Sequence, residues 1–192
     1  LPLENEIVPE KFLPSSRSVA FCKTTWEAVG GYPEWLDYSE DLVFDLRLKA
    51  KYGDFVFVPT ASVYFKPRKS LRSFFRQYYL YARGDGKADL WRKRHVARYI
   101  TYLLLIPMLA ILGFAIHPGF WLLYLPGTVI YLWQPYRRLP YLWQSLTPAQ
   151  KIIACTLIPV IRVVGDIAKM IGYQAGWRWR LRYHPPDWKL LL

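Results

Sequence analysis

From Tyr99 to Tyr136 the chain carries no formal charge, with His117 taken as neutral. That run is long enough for two apolar helices of about twenty residues each. His117-Pro118-Gly119 lies near its middle and supplies a turn. The pattern predicts a transmembrane hairpin with helices over Tyr99–Ile116 and Phe120–Tyr136. Pro107 and Pro126 would kink these helices, which membrane helices tolerate. Tyr99, Tyr102, Trp121 and Trp133 are placed to form aromatic belts. Basic residues crowd both outer ends: Lys87, Arg92, Lys93, Arg94 and Arg98 before the run, Arg137 and Arg138 after it. The positive-inside rule then puts both ends in the cytoplasm and the turn outside. The competing reading is a buried helical hairpin in a soluble protein.

Composition bears on that choice. The 192 residues are 53% hydrophobic and 18% aromatic, yet the net charge is +12. A multi-pass membrane protein with basic cytoplasmic flanks reconciles these numbers, with membrane lipids as a partner. A basic chain also suggests nucleic acid. No recognition helix can be picked out here, and the uncharged run accounts for the hydrophobicity better, so no nucleic-acid partner is expected. Cys22 and Cys155 stand far apart and outside any metal spacing, which suits a reducing compartment rather than a structural disulfide. A chain opening on Leu1 reads as a piece of a longer protein or a processed product.

Upstream of the run the pattern is mixed. Arg17–Lys23 alternates weakly and predicts a short strand. Thr24 and Glu27 have capping-box spacing for a short helix. Gly30-Gly31-Tyr32-Pro33 ends it, either as a plain cap or as a place where backbone approaches a ligand. Glu40-Asp41 opens an amphipathic helix whose apolar side is Leu42, Val43, Leu46 and Ala50. Asp37 or Ser39 could cap it, and Gly53 is a fitting stop. Phe55–Val58 and Ala61–Phe65 predict strands. Ser70–Tyr81 is a basic, aromatic amphipathic helix of the kind that lies at a membrane surface, with Gly84-Asp85-Gly86 interrupting it. Ile152–Tyr173 is a third long helix. Lys151, Arg162, Asp166, Lys169 and Tyr173 make a polar stripe along it, which suits an interfacial helix, or one packed on the upstream domain, better than a third span.

The carboxylates at Glu40 and Asp41 fall in the first turn of their helix, where the dipole favours ionised side chains. A rigid ionised carboxylate at a cleft edge can accept a proton from a hydroxyl. Acidic residues also favour helix N-termini for stability alone.

Taken in order, several stretches resemble the family 2 glycosyltransferases. These are Ser18–Lys23, Trp26-Glu27-Ala28-Val29-Gly30-Gly31-Tyr32, Glu40-Asp41 with Leu46-Arg47-Leu48, Phe57-Val58-Pro59, and Phe74 to Gly84. The resemblance covers about Arg17 to Trp91. It implies an α/β fold class: residues 1–92 as the acceptor-side, C-terminal half of a GT-A domain ending in an interfacial helix. Residues 93–192 follow as a membrane region with the hairpin, the amphipathic helix and a basic tail. It implies inverting transfer of a sugar from a nucleotide-sugar donor to a lipid-linked or glycan acceptor. Asp41 would be the general base and Glu40 its neighbour in the catalytic pair. Gly30, Gly31 and Tyr32 would line the acceptor site, and Arg76 and Gln77 would lie near the donor diphosphate. The alternative is a membrane-anchored binding or scaffold module without chemistry.

The sequence departs from the family in three places. The processive Gln-x-x-Arg-Trp motif is replaced by Gln77-Tyr78-Tyr79-Leu80-Tyr81. The resemblance implies a divalent metal, Mg or Mn, but its Asp-x-Asp ligands are absent from this chain, and Phe65 stands where many members carry a histidine ligand. Without the donor half, the chain alone would be inactive.

Overall fold

The computed structural model describes residues 6–61, 63 and 66–187. The order of helices is α1 (Lys23–Ala28), α2 (Glu40–Tyr52), α3 (Leu71–Ala88), α4 (Arg92–Ala115), α5 (Tyr124–Arg138), α6 (Pro140–Trp143) and α7 (Pro148–Tyr183). Short 3-10 turns cover Pro9–Lys11 and Pro118–Leu123.

Among the described residues there is no strand, so the α/β expectation is overturned and the architecture is helical. Arg17 to Cys22 is irregular, and Lys23 already begins α1. Phe55–Val58 is irregular too, and a turn follows in which the Ala61 amide donates to the Val58 carbonyl at 3.1 Å. The end of the Ala61–Phe65 segment lies outside the described residues. Alternation specifies a strand only when a neighbour completes the hydrogen-bond ladder and a facing layer buries one side. Val56 is 84% exposed, so neither condition is met there.

Helix α2 begins and ends where the sequence places it. Gly53 closes it at φ 90°, its amide donating to the Lys49 carbonyl. Its buried side differs from the expected one: Val43, Phe44, Arg47 and Leu48 are buried with Asp45, whereas Ala50 is exposed. Val43 joins Leu36, Ala88 and Leu90 in a core flanked by Trp35, Leu42, Leu46 and Trp91. The Thr24 capping box does not form. Cys22 is the N-cap of α1, and the Thr25 hydroxyl donates to its carbonyl at 2.6 Å.

Helix α3 runs unbroken through Gly84-Asp85-Gly86. Its N-cap is Ser70, whose hydroxyl accepts from the Ser73 amide. The face expected to rest on a membrane surface packs instead along α7, and the glycines are the reason. A Cβ on Gly86 would strike the Tyr173 carbonyl. From the other side, Gly165, Gly172 and Gly176 of α7 meet Phe74, the Tyr79 carbonyl and the Arg83 carbonyl in that order. The matched order shows that the helices run parallel. Close backbone approach through small residues is how helices pack tightly without large side chains. Arg180 completes the contact by donating to the Lys87 carbonyl at 2.9 Å. Helix α7 is longer at both ends than the expected Ile152–Tyr173, and it opens with a Thr147–Gln150 capping box.

Parallel neighbours require a long return connection, and here α4, α5 and α6 provide it. Helix α4 is long and apolar enough to cross a membrane, with a mean hydropathy of 1.8 over its best window and only 6% of that window buried. A core helix of the same composition would be mostly enclosed. Its backbone widens to π-helical turns over Ile100–Leu105, next to Pro107, which lacks the amide that a regular helix needs there. Ile116 and His117 end it, and α5 returns alongside. The Tyr124 hydroxyl donates to the Ile106 carbonyl at 2.6 Å.

Candidate functional site

A cavity of about 480 Å³ opens where the N-terminus of α2 meets α3, α4 and α7. Ser39 and Asp41 line it from α2, Tyr78, Tyr81 and Asp85 from α3, Trp91, Arg94, His95 and Arg98 from the start of α4, and Lys169 from α7.

The approach of α2 to α3 depends on Gly84, where a Cβ would collide with the Tyr38 carbonyl. Ser39 sits at φ 66° just before α2, and its side chain makes no capping hydrogen bond to the helix. Its hydroxyl lies 3.2 Å from Asp85 Oδ1 and 3.4 Å from the Tyr81 carbonyl, so it ties α2 to α3 rather than capping α2. Asp37 does not cap α2 either: Lys87 Nζ holds it at 2.7 Å and Arg83 contacts it as well. Burial works to raise the Asp37 carboxyl, but the Lys87 hydrogen bond and the Lys87 and Arg83 charges outweigh it and hold the group below its ordinary range.

From Asp85 a polar chain passes through five more side chains. His95, which is buried and stacked 3.9 Å from the Tyr173 ring, places Nε2 3.4 Å from Asp85 Oδ2. Arg98 lies 3.2 Å from His95 Nδ1. A guanidinium only donates, so Nδ1 is the acceptor and the proton sits on Nε2, facing Asp85. Arg98 Nε donates to Asp166 Oδ1 at 2.8 Å, and the Tyr131 hydroxyl donates to Oδ2 at 2.8 Å. The Tyr102 hydroxyl is 2.7 Å from that of Tyr131. Hydrogen bonds thus join Ser39, one residue before the acidic pair, to the base of the apolar hairpin.

Lys169 stands apart from this chain. Its ammonium lies 4.8 Å from the centre of the Tyr78 ring and forms no ion pair among the described residues. Burial lowers its pKa, and the Asp166 carboxylate offsets part of that.

No protein-family model, curated protein or solved structure matches this chain. The functional reading therefore rests on the residues themselves.

Of the residues singled out from the sequence, Asp41 lines the cavity, and its carboxylate also accepts from the Leu42 amide at 2.8 Å. Glu40 is half-buried beside it and does not line the cavity. Gly30 and Gly31 have φ of 75° and 62° and close α1, their amides donating to the Glu27 and Trp26 carbonyls. A Cβ on Gly31 would meet the Trp26 indole, so the turn is a helix cap and lies away from the cavity. Tyr32 packs its ring 4.5 Å from Phe44, and burial raises its phenol, with the Asp45, Asp41 and Glu40 charges adding to the effect. Arg76 is exposed. Gln77 accepts from Arg68 and donates to the Tyr81 hydroxyl, and neither it nor Arg76 reaches the cavity. Among the described residues no three His, Cys, Asp or Glu side chains converge to hold a metal. The described residues offer Mg or Mn no set of ligands. Phe65 lies outside the described residues.

Sequence reasoning missed Asp85 and His95 as members of the site. The signal for Asp85 was the Gly-Asp-Gly spacing on α3, which reads as a break until a second helix is seen against it; His95, on α4, had none.

One turn along α2, Asp45 is 2% exposed. Burial, then the Asp41 charge, raises its carboxyl to about 7. An unfolded chain would titrate it near 3.8, so between about pH 4 and pH 7 the folded state holds a proton that the unfolded state has lost. Its contribution is therefore fully present below pH 4, falls as pH rises to about 7, and is flat above. Relative to Asp45→Asn, the native chain should lose melting temperature from pH 4.5 to pH 7.5. A parallel pH profile for the two proteins would show that Asp45 ionises normally.

Proposed function

We propose that this chain is part of a membrane-bound inverting glycosyltransferase, with Asp41 as its general base. The observation that carries the reading is that Asp41, at the dipole-favoured start of a buried helix, opens onto a cavity walled by Arg94, Arg98 and Lys169. In the reaction, the acceptor hydroxyl gives its proton to Asp41 as its oxygen bonds the anomeric carbon of a nucleotide-sugar. The bond from that carbon to the diphosphate breaks, and the nucleoside diphosphate leaves with the electron pair. The acceptor is lipid-linked or a glycan presented at the membrane surface.

In the same reading the chain is multi-pass. Helices α4 and α5 form the hairpin, the catalytic side is cytoplasmic, and His117-Pro118 lies outside. A tag inserted at His117-Pro118 should be accessible from outside intact cells, and one at the Arg138 end protected; the reverse would remove the hairpin topology.

Asp41→Asn keeps shape but removes the proton acceptor. In membranes holding the whole enzyme, it should cut sugar transfer at least about a hundredfold, the scale of a lost general base. Glu40→Gln should be milder, because adjacent helical side chains diverge by about 100°. Melting of both variants should stay close to native, since a first-turn carboxylate contributes about 0.3–1 kcal/mol through the dipole. Near-normal transfer by Asp41→Asn would sink the assignment. One observation favours the second reading, a binding or scaffold module: Arg76 and Gln77 do not converge with Asp41 on the cavity. That reading gains if no transfer is found in the native protein.

A further inference from the structure

We infer that the cavity beside Asp41 seats the headgroup of an anionic lipid: a phosphodiester bearing a free hydroxyl, its chains lying along α4. The role given to the hydroxyl rests on the transfer reading; the headgroup site does not.

The charges lining the cavity point to an anion. Asp85 is taken up by Ser39 and His95, and Arg98 by Asp166. Arg94 and Lys169 remain, each over an aromatic ring, Trp91 at 4.7 Å and Tyr78 at 4.8 Å. Neither forms an ion pair with a carboxylate among the described residues. A ring face attracts a cation without neutralising it. A phosphate arriving here gains charge-assisted hydrogen bonds that a neutral sugar cannot make. The same charges set its orientation. Asp41 repels the phosphate, which settles towards Arg94 and Lys169, so the hydroxyl end of the headgroup is left facing Asp41.

Position argues for a lipid source. Arg94 and Arg98 occupy the first two turns of α4, the one helix among the described residues of membrane-crossing length and apolarity. Basic residues immediately flanking such a helix lie at the level of lipid phosphates. Further along the same helix, Leu103 and Leu104 are 66% and 56% exposed, an apolar track for a chain attached to that phosphate. A cavity of about 480 Å³ has room for a phosphodiester and a small polyol.

The test uses the full chain in nanodiscs of phosphatidylcholine, with or without a minority of phosphatidylglycerol, and counts retained lipid by native mass spectrometry. Phosphatidylglycerol should be retained selectively. Arg94→Gln and Lys169→Gln should each lower retention about tenfold, the scale of one charge-assisted contact. Arg182→Gln removes a charge outside the cavity and should change little. Asp41→Asn should retain the lipid at least as well as native, because a like charge is gone. A melting curve accompanies each variant, and Arg94 is exposed, so its substitution spares the fold. Equal losses from Arg94→Gln and Arg182→Gln would mean diffuse attraction to an anionic surface and overturn the site. Displacement by soluble glycerol phosphate at concentrations matching the lipid would overturn the lipid source. Normal transfer by Asp41→Asn with selective retention intact would remove the base role and leave the headgroup site standing.

Discussion

Asp166→Leu should destabilise the protein by about 3–5 kcal/mol, the cost of stranding one member of a buried ion pair. The Asp166 side chain is 7% exposed and that of Arg98 17%. The leucine would leave the Arg98 guanidinium and the Tyr131 hydroxyl without their carboxylate partner, with only His95 still accepting from Arg98. The contrast is Lys23–Glu27, whose side chains are 85% and 55% exposed; breaking it should cost at most about 1 kcal/mol. Arg98→Leu combined with Asp166→Leu should recover most of the loss, because apolar replacement of a whole buried pair is often neutral. Thermal unfolding in detergent reads all of these. An Asp166→Leu protein that melts within about a degree of native would show that the network contributes nothing to holding the hairpin on α7.

Gly172→Ala and Gly176→Ala should each destabilise by about 1–3 kcal/mol, the usual range for overpacking, although helical propensity alone predicts a gain of about 1 kcal/mol. The sign reverses because the added methyl meets the Tyr79 or Arg83 carbonyl, and backbone cannot swing aside as a side-chain tip can. Gly127 is the control: a Cβ there meets nothing within 4 Å, so Gly127→Ala should be neutral or slightly stabilising. Gly172→Leu should prevent the α3–α7 contact outright and abolish cooperative melting. If Gly172→Ala and Gly127→Ala behaved alike, α3 and α7 would not be in backbone contact.

The acidic opening of α2 at Glu40, its stop at Gly53, the apolar helix after Arg98 and the turn at His117-Pro118 were all legible in the sequence. Each depends on neighbours within a few residues: a dipole, a glycine able to take positive φ, an uncharged run. Such signals are written locally and survive whatever the rest of the chain does. The polar stripe of α7 was legible as a stripe too, with Asp166 and Lys169 on it.

What lies across the chain was not legible. The apolar runs at Arg17–Lys23 and Phe55–Val58 carry strand-like patterns, but a strand exists only in the bonds it makes to another, and pattern does not supply the partner. Gly84 and Gly86 look like a helix break because glycine is unfavourable in an isolated helix. Set against Tyr38 and Tyr173, they are contact points. The partner of Asp166 is Arg98, far away in sequence, and nothing near either residue names the other. Local signals were enough to place both ends of α2 and the stretch that suits a membrane. That Asp41 shares one cavity with Arg94 and Lys169 follows from backbone-close crossings of α2 on α3 and α3 on α7, whose energy resides in contacts between distant residues.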